Sequence, residues 1–509
     1  MNPESIVSER IRNSILASKL MSAEQAAEII RDGMVVGMSG FTGAGYPKVV
    51  PAALAARIGE AHGRGDRFSL NVLTGASTAP ELDGELARVD GIGFRLPFNT
   101  DPTMRAKINK GEAEYMDVHL GHVAQQAWSG FYGKMDVAVI EVTTILEDGR
   151  LVPSTSIGNN KTWLDIADKV IIEVNSQQPL GLDGMHDIYF GTALPPHRKP
   201  ILLTAPGDRI GEPYLRVDPA KVVAVVESNA PDRLGHFTPP DAISKKIAGH
   251  LVEFFRHEIR HGRLPPDLLP LQSGVGNVAN AVLSGLREGG FTGLTSFTEV
   301  IQDGMLELLS DDTITIASAT ALSLSPEAVQ EFVDRIDHYR SRVLLRPQEI
   351  SNHAELIRRL GCLGINGMVE GDLYGNINST HVAGTSIING IGGSGDFARN
   401  GSLSCFVTPS VAKGGAISCI VPMVSHVDHT EHDVAILVTE QGLADLRGLS
   451  PKQRARTIIE HCAHPDYRPM LQDYFQRALQ DSRGKHTPHL LGEALSWHQR
   501  FLETGSMRA

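Results

Sequence analysis

Two related α/β domains, each a mainly parallel sheet flanked by helices, are the fold that the sequence predicts for this chain of 509 residues. Short apolar runs alternate with helix-like patterns, as parallel strands covered on both faces require. One plan of helix, strand, glycine loop and helix occurs twice. Glycine is also frequent, with 51 residues against an average usage of about 7%, as expected where many tight turns or close backbone approaches are needed. At roughly 150 residues per domain the length alone allows about three domains. The repeated plan favours two, 1–230 and 231–509, joined through the Pro-rich stretch "SNAPDRLGHFTPPD" between Ser228 and Asp241.

In the first copy of the plan, Ser22 and Gln25 form a capping box for the helix "AEQAAEIIRD", Gly33 ends it, "MVVGMS" is a strand, and "GFTGAG" opens a helix at "VVPAALAARI". In the second, Asp241 is the expected N-cap, and Ile243, Ile247, Leu251, Phe254 and Phe255 fall at helical spacing. Gly262 ends that helix, prolines stiffen the passage to the strand "LLPLQS", and "GVGN" opens the helix "VANAVLSGLR". A second echo supports duplication. "DVAVIEVTTILEDGRLVPSTSIG" and "GINGMVEGDLYGNINSTHVAG" each pass from a strand through a turn, at Asp148-Gly149 or Tyr374-Gly375, to a Ser-Thr pair and a glycine.

Lys and Arg total 47 and Asp and Glu 59, a formal net charge of −12. Such a balance argues against nucleic acid or an anionic membrane as partner, since both need concentrated positive charge. It leaves room for a small anion in a local pocket. No apolar run reaches the 18 or so residues of a membrane helix. The opening segment carries Glu4 and Glu9 and lacks a continuous apolar stretch, so it reads poorly as a targeting signal and a cytoplasmic location is expected. Cys362, Cys405, Cys419 and Cys462 are scattered without a CxxC pair, and read as reduced, mostly buried thiols.

Several strings could carry chemistry. The loop "SGFTGAGYP", with Gly40, Gly43 and Gly45, reads either as a tight turn or as an anion cradle at a helix start, but it is neither GxGxxG nor a Walker motif. "NGIGGSGDFARNG" has too many glycines to read easily as core, and suggests backbone that either approaches a ligand closely or turns through φ > 0. "SHVDHTEHD" spaces His426, His429 and His432 by three, yet no HxH or HExxH completes a metal site, so it reads as a polar connection between strands and no metal is expected. Glu299 follows the β-favouring run Thr295 to Thr298 and precedes a helical pattern of Val300, Met305, Leu308 and Leu309. Glu440 ends the strand "VAILV". Carboxylates at strand ends are common catalytic positions in α/β sheets, although helix-start charges also occur there.

Taken together, "LQSGVGNVANAV", "FTEVIQDGMLELL", "RPQEISNH", "NGIGGSGDFARNG", "AKGGAISCIVPMVSHVDHTEHD" and "VTEQGLADLRGLSPKQRARTIIEHCAHPDYRP" closely resemble the acetyl-CoA hydrolase/transferase family. They are most similar to its succinyl-CoA:acetate CoA-transferase branch, a class I CoA-transferase. The resemblance runs from about Ser22 to about Leu479 and is densest after Ser273. It implies two CoA-transferase-type domains with the active site between them, a homodimer, short carboxylates and acyl-CoA as substrates, and no permanently bound cofactor. It further implies that Glu299 is the nucleophile that becomes a glutamyl-CoA thioester. Gly274, Val275, Gly276, Asn277 and Val278 match the CoA-binding loop, as do the CoA-contacting positions Asn389, Gly393 and Lys413. The N–H groups of Val275 and Gly393 match oxyanion donors, Asn352 and Glu440 match residues that support the nucleophile, and Arg233 matches an arginine near the acyl carboxylate. The implied reaction moves CoA from succinyl-CoA to acetate. Acetyl-CoA hydrolysis, transfer to propionate or butyrate, a CoA-binding protein without chemistry, and a metallohydrolase built on the histidine string are the competing readings.

Overall fold

The computed structural model describes residues 9–233, 239–274 and 276–508. Chain contacts divide these residues into two units. One takes the described residues through Arg233 together with Ser296–Asp311 and Thr315–Leu356, and the other takes those from Pro239 to Thr295, Asp312–Ile314 and Ile357 onward. By chain contacts Glu299 and Asn352 belong to the first unit, although they follow the expected boundary at residue 230.

The first unit is organised on strands β1 (Val35–Met38), β2 (Leu70–Leu73), β3 (Ile92–Leu96), β4 (Glu114–Tyr115), β5 (Val137–Ile145), β6 (Leu151–Pro153), β7 (Lys169–Asn175) and β8 (Val222–Ser228). Their order is β4-β3-β2-β1-β5-β7-β8, all parallel, with β6 folding back antiparallel on β5. All nine residues of β5 are buried, as a strand covered on both faces requires. Helix α1 (Ala23–Ala27) starts at the predicted Ser22–Gln25 capping box, and α2 (Val49–Gly63) follows the glycine loop. The faces of these helices, with Ala26, Val50, Leu54 and Ile58, and Ile30 just after the first of them, pack on Val36, Met38 and Val72 of the sheet. Each fully buried aliphatic side chain contributes about 1.5–3 kcal/mol relative to exposure.

The segment 315–356 joins this unit through backbone hydrogen bonds. Ile157 N–H donates to Thr320 O at 2.9 Å, Leu322 N–H to Thr155 O at 2.9 Å and Gln348 N–H to Gly158 O at 2.9 Å. The Ser-Thr stretch noted in the sequence is therefore the edge on which the later segment docks.

The second unit contains α3 (Ala242–Arg260), capped by Asp241 as predicted, and α4 (Asn277–Glu288). Its strands β9 (Leu271–Ser273), β10 (Leu363–Gly367), β11 (Leu403–Val407), β12 (Ile436–Thr439) and β13 (Gly442–Asp445) lie in that order, parallel except for β13. Two units of strand, glycine loop and helix thus match the expected α/β class. All four cysteines are buried thiols. No helix among the described residues is long and apolar enough to cross a membrane.

Candidate active site

Glu299 follows the strand Leu294–Phe297 and is only 8% exposed. Its backbone carbonyl accepts hydrogen bonds from the N–H groups of Thr320 at 2.9 Å and Ala321 at 3.2 Å. Its side chain receives Asn352 Nδ2 at 3.4 Å and Thr298 Oγ1 at 3.5 Å. Phe41, Ala76, Leu120, Val300 and Ala321 form a small apolar cluster flanked by Phe98, and it takes in the next residue in the chain, Val300, and Ala321, which donates to the Glu299 carbonyl. The sequence placed Val300 in a helix. Instead Val300–Ile301 pairs in parallel with Ala321–Leu322, and the helix begins at Asp303. This two-residue pairing, invisible to periodicity, sets the backbone next to Glu299.

The first glycine loop is filled by its own protein. Phe41 and Ala44 exchange hydrogen bonds at 3.0 and 3.1 Å, and Gly45 N–H donates to Asp232 Oδ1 at 3.0 Å. Gly45 has φ +63°, and a Cβ there would meet Ser156 Oγ at 2.5 Å and Ser154 Oγ at 2.8 Å. The tight-turn reading fits, since the loop carries Phe41 into the apolar cluster that contains Val300 and Ala321.

Sequence reasoning missed the group that holds Arg233. Lys48 is buried and pairs with Glu141 and, at 2.8 Å, with Asp232. Burial alone favours the neutral amine, but the two carboxylates outweigh it and keep the ammonium charged. Asp232 also accepts from Thr155 Oγ1 and from Gln178 Nε2 at 3.1 Å. The next residue, Arg233, donates its N–H to Tyr46 Oη at 3.2 Å and pairs its 61% exposed guanidinium with Glu81. Lys48 and Asp232 are 184 positions apart, so no local pattern announces them.

In the second unit, a cleft of about 310 Å³ opens at the carboxyl ends of β9, β10 and β11, where α/β sheets characteristically bind ligands. Gly274, Asn277 and Val278 line it together with Gly367, Met368 and Thr408. The last three went unread, although the ends of neighbouring strands were the signal. Gly276 caps α4 with φ +113°, and a Cβ there would meet nothing within 4 Å. Open space beside bare backbone distinguishes this loop from the first. Val275, expected to donate an oxyanion hydrogen bond, lies outside the described residues.

Asn389 and Gly393 lie in the loop that leads to the helix Ser394–Asn400, with Gly393 at its N-cap. Lys413 is exposed at the tip of the hairpin formed by Val411–Ala412 and Ile417–Ser418. Glu440 is bound by Ser410, whose N–H donates at 2.7 Å and whose hydroxyl donates to the other oxygen, and by Gln441 Nε2 at 2.8 Å. Partial burial opposes its charge, but the Ser410 hydrogen bonds prevail and hold its carboxyl below the usual range. The histidine string disperses its side chains. His426 faces Asp428 at 3.3 Å, buried His429 meets Ser394 Oγ at 3.1 Å, and His432 sits in a separate single turn. Among the described residues, no three His, Cys, Asp or Glu side chains gather as a metal site.

Residues 7–227 match the acetyl-CoA hydrolase/transferase N-terminal domain, and residues 329–475 match the C-terminal domain of the same family. The chain belongs to the acetyl-CoA hydrolase/transferase family. It is 49% identical over 503 residues to a succinyl-CoA:acetate CoA-transferase of Clostridium kluyveri, covering 99% of this chain and 93% of that one. It is 46% identical to a propanoyl-CoA:succinate CoA transferase of Escherichia coli, covering 96% and 98%. An acetyl-CoA hydrolase of Schizosaccharomyces pombe is 45% identical, covering 99% of each. Among solved structures, RipA from Yersinia pestis superposes with a TM-score of 0.71 at 22% identity, covering 93% of this chain and 99% of that one. The 4-hydroxybutyrate CoA-transferase of Porphyromonas gingivalis does so with a TM-score of 0.62, also at 22% identity, covering 90% and 98%. These two likenesses concern the fold. Family membership makes the chain an enzyme of CoA thioester chemistry, and its relatives act as transferases or hydrolases.

Proposed function

We propose that the protein transfers CoA from succinyl-CoA to acetate, giving acetyl-CoA and succinate, with Glu299 as the covalent carrier. The observation that carries the proposal is a buried carboxylate at a strand end, next in the chain to a residue of a small apolar cluster and held at its own carbonyl by two N–H groups. A carboxylate nucleophile is the chemically required choice. An alcohol would give an ordinary ester, from which a thiolate could not easily regain the thioester's energy.

A Glu299 oxygen attacks the succinyl-CoA carbonyl, the C–S bond breaks, and CoA leaves as thiolate from a mixed anhydride. The thiolate then attacks the Glu299 carbonyl carbon and expels succinate, leaving the glutamyl-CoA thioester. Acetate attacks that thioester and the two steps run in reverse, restoring the Glu299 carboxylate. Each tetrahedral intermediate carries an oxyanion, for which the N–H groups of Val275 and Gly393 are the proposed donors, at roughly 3 kcal/mol each. The open loop Gly274–Val278, with Asn389, Gly393 and Lys413, is the proposed CoA surface. Asn352 and Glu440 support the nucleophile, and Arg233 pairs with the acyl carboxylate. In a cell the reaction would consume acetate and substitute for succinyl-CoA synthetase in a citric acid cycle. We assign it to a cytoplasmic homodimer.

The S. pombe relative's name, acetyl-CoA hydrolase, favours a second reading in which water takes the place of acetate. Incubation with succinyl-CoA, with and without acetate, separates the two. Acetyl-CoA formed only with acetate supports transfer, whereas equal release of free CoA in both supports hydrolysis. Replacing acetate by propionate tests the transfer that the E. coli relative's name suggests. Glu299→Gln is expected to lower exchange at least a thousandfold, with unchanged CoA affinity and no CoA adduct by mass spectrometry. Near-normal turnover in that variant excludes the mechanism.

A further inference from the structure

Three consecutive residues at the hairpin tip, Lys413, Gly414 and Gly415, have φ of +47°, +63° and +92°. Glycine adopts such angles freely, but lysine does so only at a cost, and a strained residue persists where its surroundings fix it. The surroundings here are the segment after helix α5 (Ser496–Thr504). Met507 N–H donates to Ala416 O at 2.8 Å, and Arg508 Nε donates to Gly415 O at 3.1 Å, a carbonyl that also accepts from Tyr467 Oη at 2.8 Å. Arg508 is aimed by Asp466 at 2.7 Å and lies 5.5 Å above the Tyr467 ring. A Cβ on Gly415 would come within 2.8 Å of Arg508 Nη2, so glycine at 415 is what lets the arginine approach. The Lys413 ammonium, in turn, stands 4.8 Å over the Phe501 ring. The segment is itself well anchored. Trp497 and Met507 are buried in the second unit's core, and His498 meets buried Glu370 at 2.7 Å.

We infer that Phe501 and Arg508 are positioning residues that hold the Lys413 hairpin tip in its strained form, and thereby set the affinity for CoA thioesters without touching the reacting atoms. The inference rests on the reading of Lys413 as a CoA contact. A hairpin tip needs no lysine in a left-handed conformation in order to turn. The combination of a strained, exposed lysine, a ring beneath its ammonium and an arginine locking the following carbonyl is explained by a cation presented in one place.

The test compares Arg508→Ala, Arg508→Lys, Phe501→Leu, Lys413→Ala and the double variant Arg508→Ala/Lys413→Ala in steady-state exchange and in calorimetric titration with CoA. Arg508→Ala is expected to raise KM for succinyl-CoA and the Kd for CoA roughly five- to tenfold, with kcat within about twofold and KM for acetate unchanged. Phe501→Leu should act in the same direction. Arg508→Lys keeps the charge but not the forked geometry, so it should behave like Arg508→Ala. Restoration of affinity by lysine would overturn positioning in favour of simple attraction of an anion. The double variant should be no worse than Lys413→Ala, because both act through one contact, and additive losses would also overturn the inference. If Lys413→Ala itself leaves CoA affinity unchanged, the reading of Lys413 fails and the inference falls with it. An effect of Lys413→Ala with none from Arg508→Ala removes the inference alone.

Discussion

Glycines that look alike in sequence have opposite jobs in the two loops. At Gly45 the missing side chain makes room for Ser154 and Ser156, whereas at Gly276 it leaves backbone facing open space. Gly45→Ala combines a left-handed φ with a collision and is expected to destabilise the first unit by about 2–4 kcal/mol, read as a clear drop in thermal midpoint with KM little changed in the surviving fold. Gly276→Ala meets no neighbour and carries only the backbone cost of its φ +113°, ψ −175° conformation, so stability should fall by about 1–3 kcal/mol while KM for acyl-CoA rises several-fold. If both variants lose stability alone, the second loop is merely a turn. The composition showed the glycine excess but could not sort it, because what sorts it is the presence of atoms from distant parts of the chain. Glu299 was legible as a strand-end carboxylate and through its resemblance to a family motif. Its backbone partners Thr320 and Ala321 were not, and neither was the Lys48–Asp232 pair behind Arg233.

Helix starts were the most legible elements, since their determinants lie within one turn. Ser22 with Gln25 and Asp241 with Ser244 cap the helices that their local sequence predicts. Pairings of two residues, such as Val300–Ile301 with Ala321–Leu322, are set by tertiary neighbours and carry no readable period. The same limit hid the clamp between α3 and the end of β13. Glu258 of α3 is buried and accepts from Arg263 at 2.6 and 2.9 Å and from Arg447 at 2.8 Å. The Arg263 hydrogen bonds foremost, then the one from Arg447, hold its carboxyl down at about 2, despite its burial. A depressed carboxyl stabilises the fold fully above the ordinary value near 4.5, and that contribution is lost as pH falls through about 2. Because both arginines are partly exposed, the contribution is set at about 2 kcal/mol rather than the full shift. Glu258→Gln should therefore unfold more easily at neutral pH and show a shallower loss of stability between pH 4.5 and 2. An acid limb identical to that of the parent protein, followed by circular dichroism, would show that the clamp contributes nothing.

A net charge of −12 bears on function because every proposed substrate is an anion. Long-range repulsion must slow the approach of an acyl-CoA, whose phosphates are several times more charged than acetate, while a direct ion contact of the kind proposed for Lys413 acts only over a few ångströms. Salt separates the two ranges. Between about 0.01 and 0.1 M ionic strength the screening length falls from roughly 30 to 10 Å, which removes most of the global field but spares a direct ion contact. Thus kcat/KM for succinyl-CoA is expected to rise roughly two- to fivefold over that interval when association limits it, and acetate, with one charge, should respond less. On the proposed role of Lys413, Lys413→Ala should lower the absolute value while keeping the slope, since the proposed contribution is a close contact rather than the distant field. Stopped-flow binding of CoA across a salt series reads this directly. A rate that falls steeply with salt would mean that a local positive surface governs capture and that the excess of 12 negative charges lies where the substrate does not feel it.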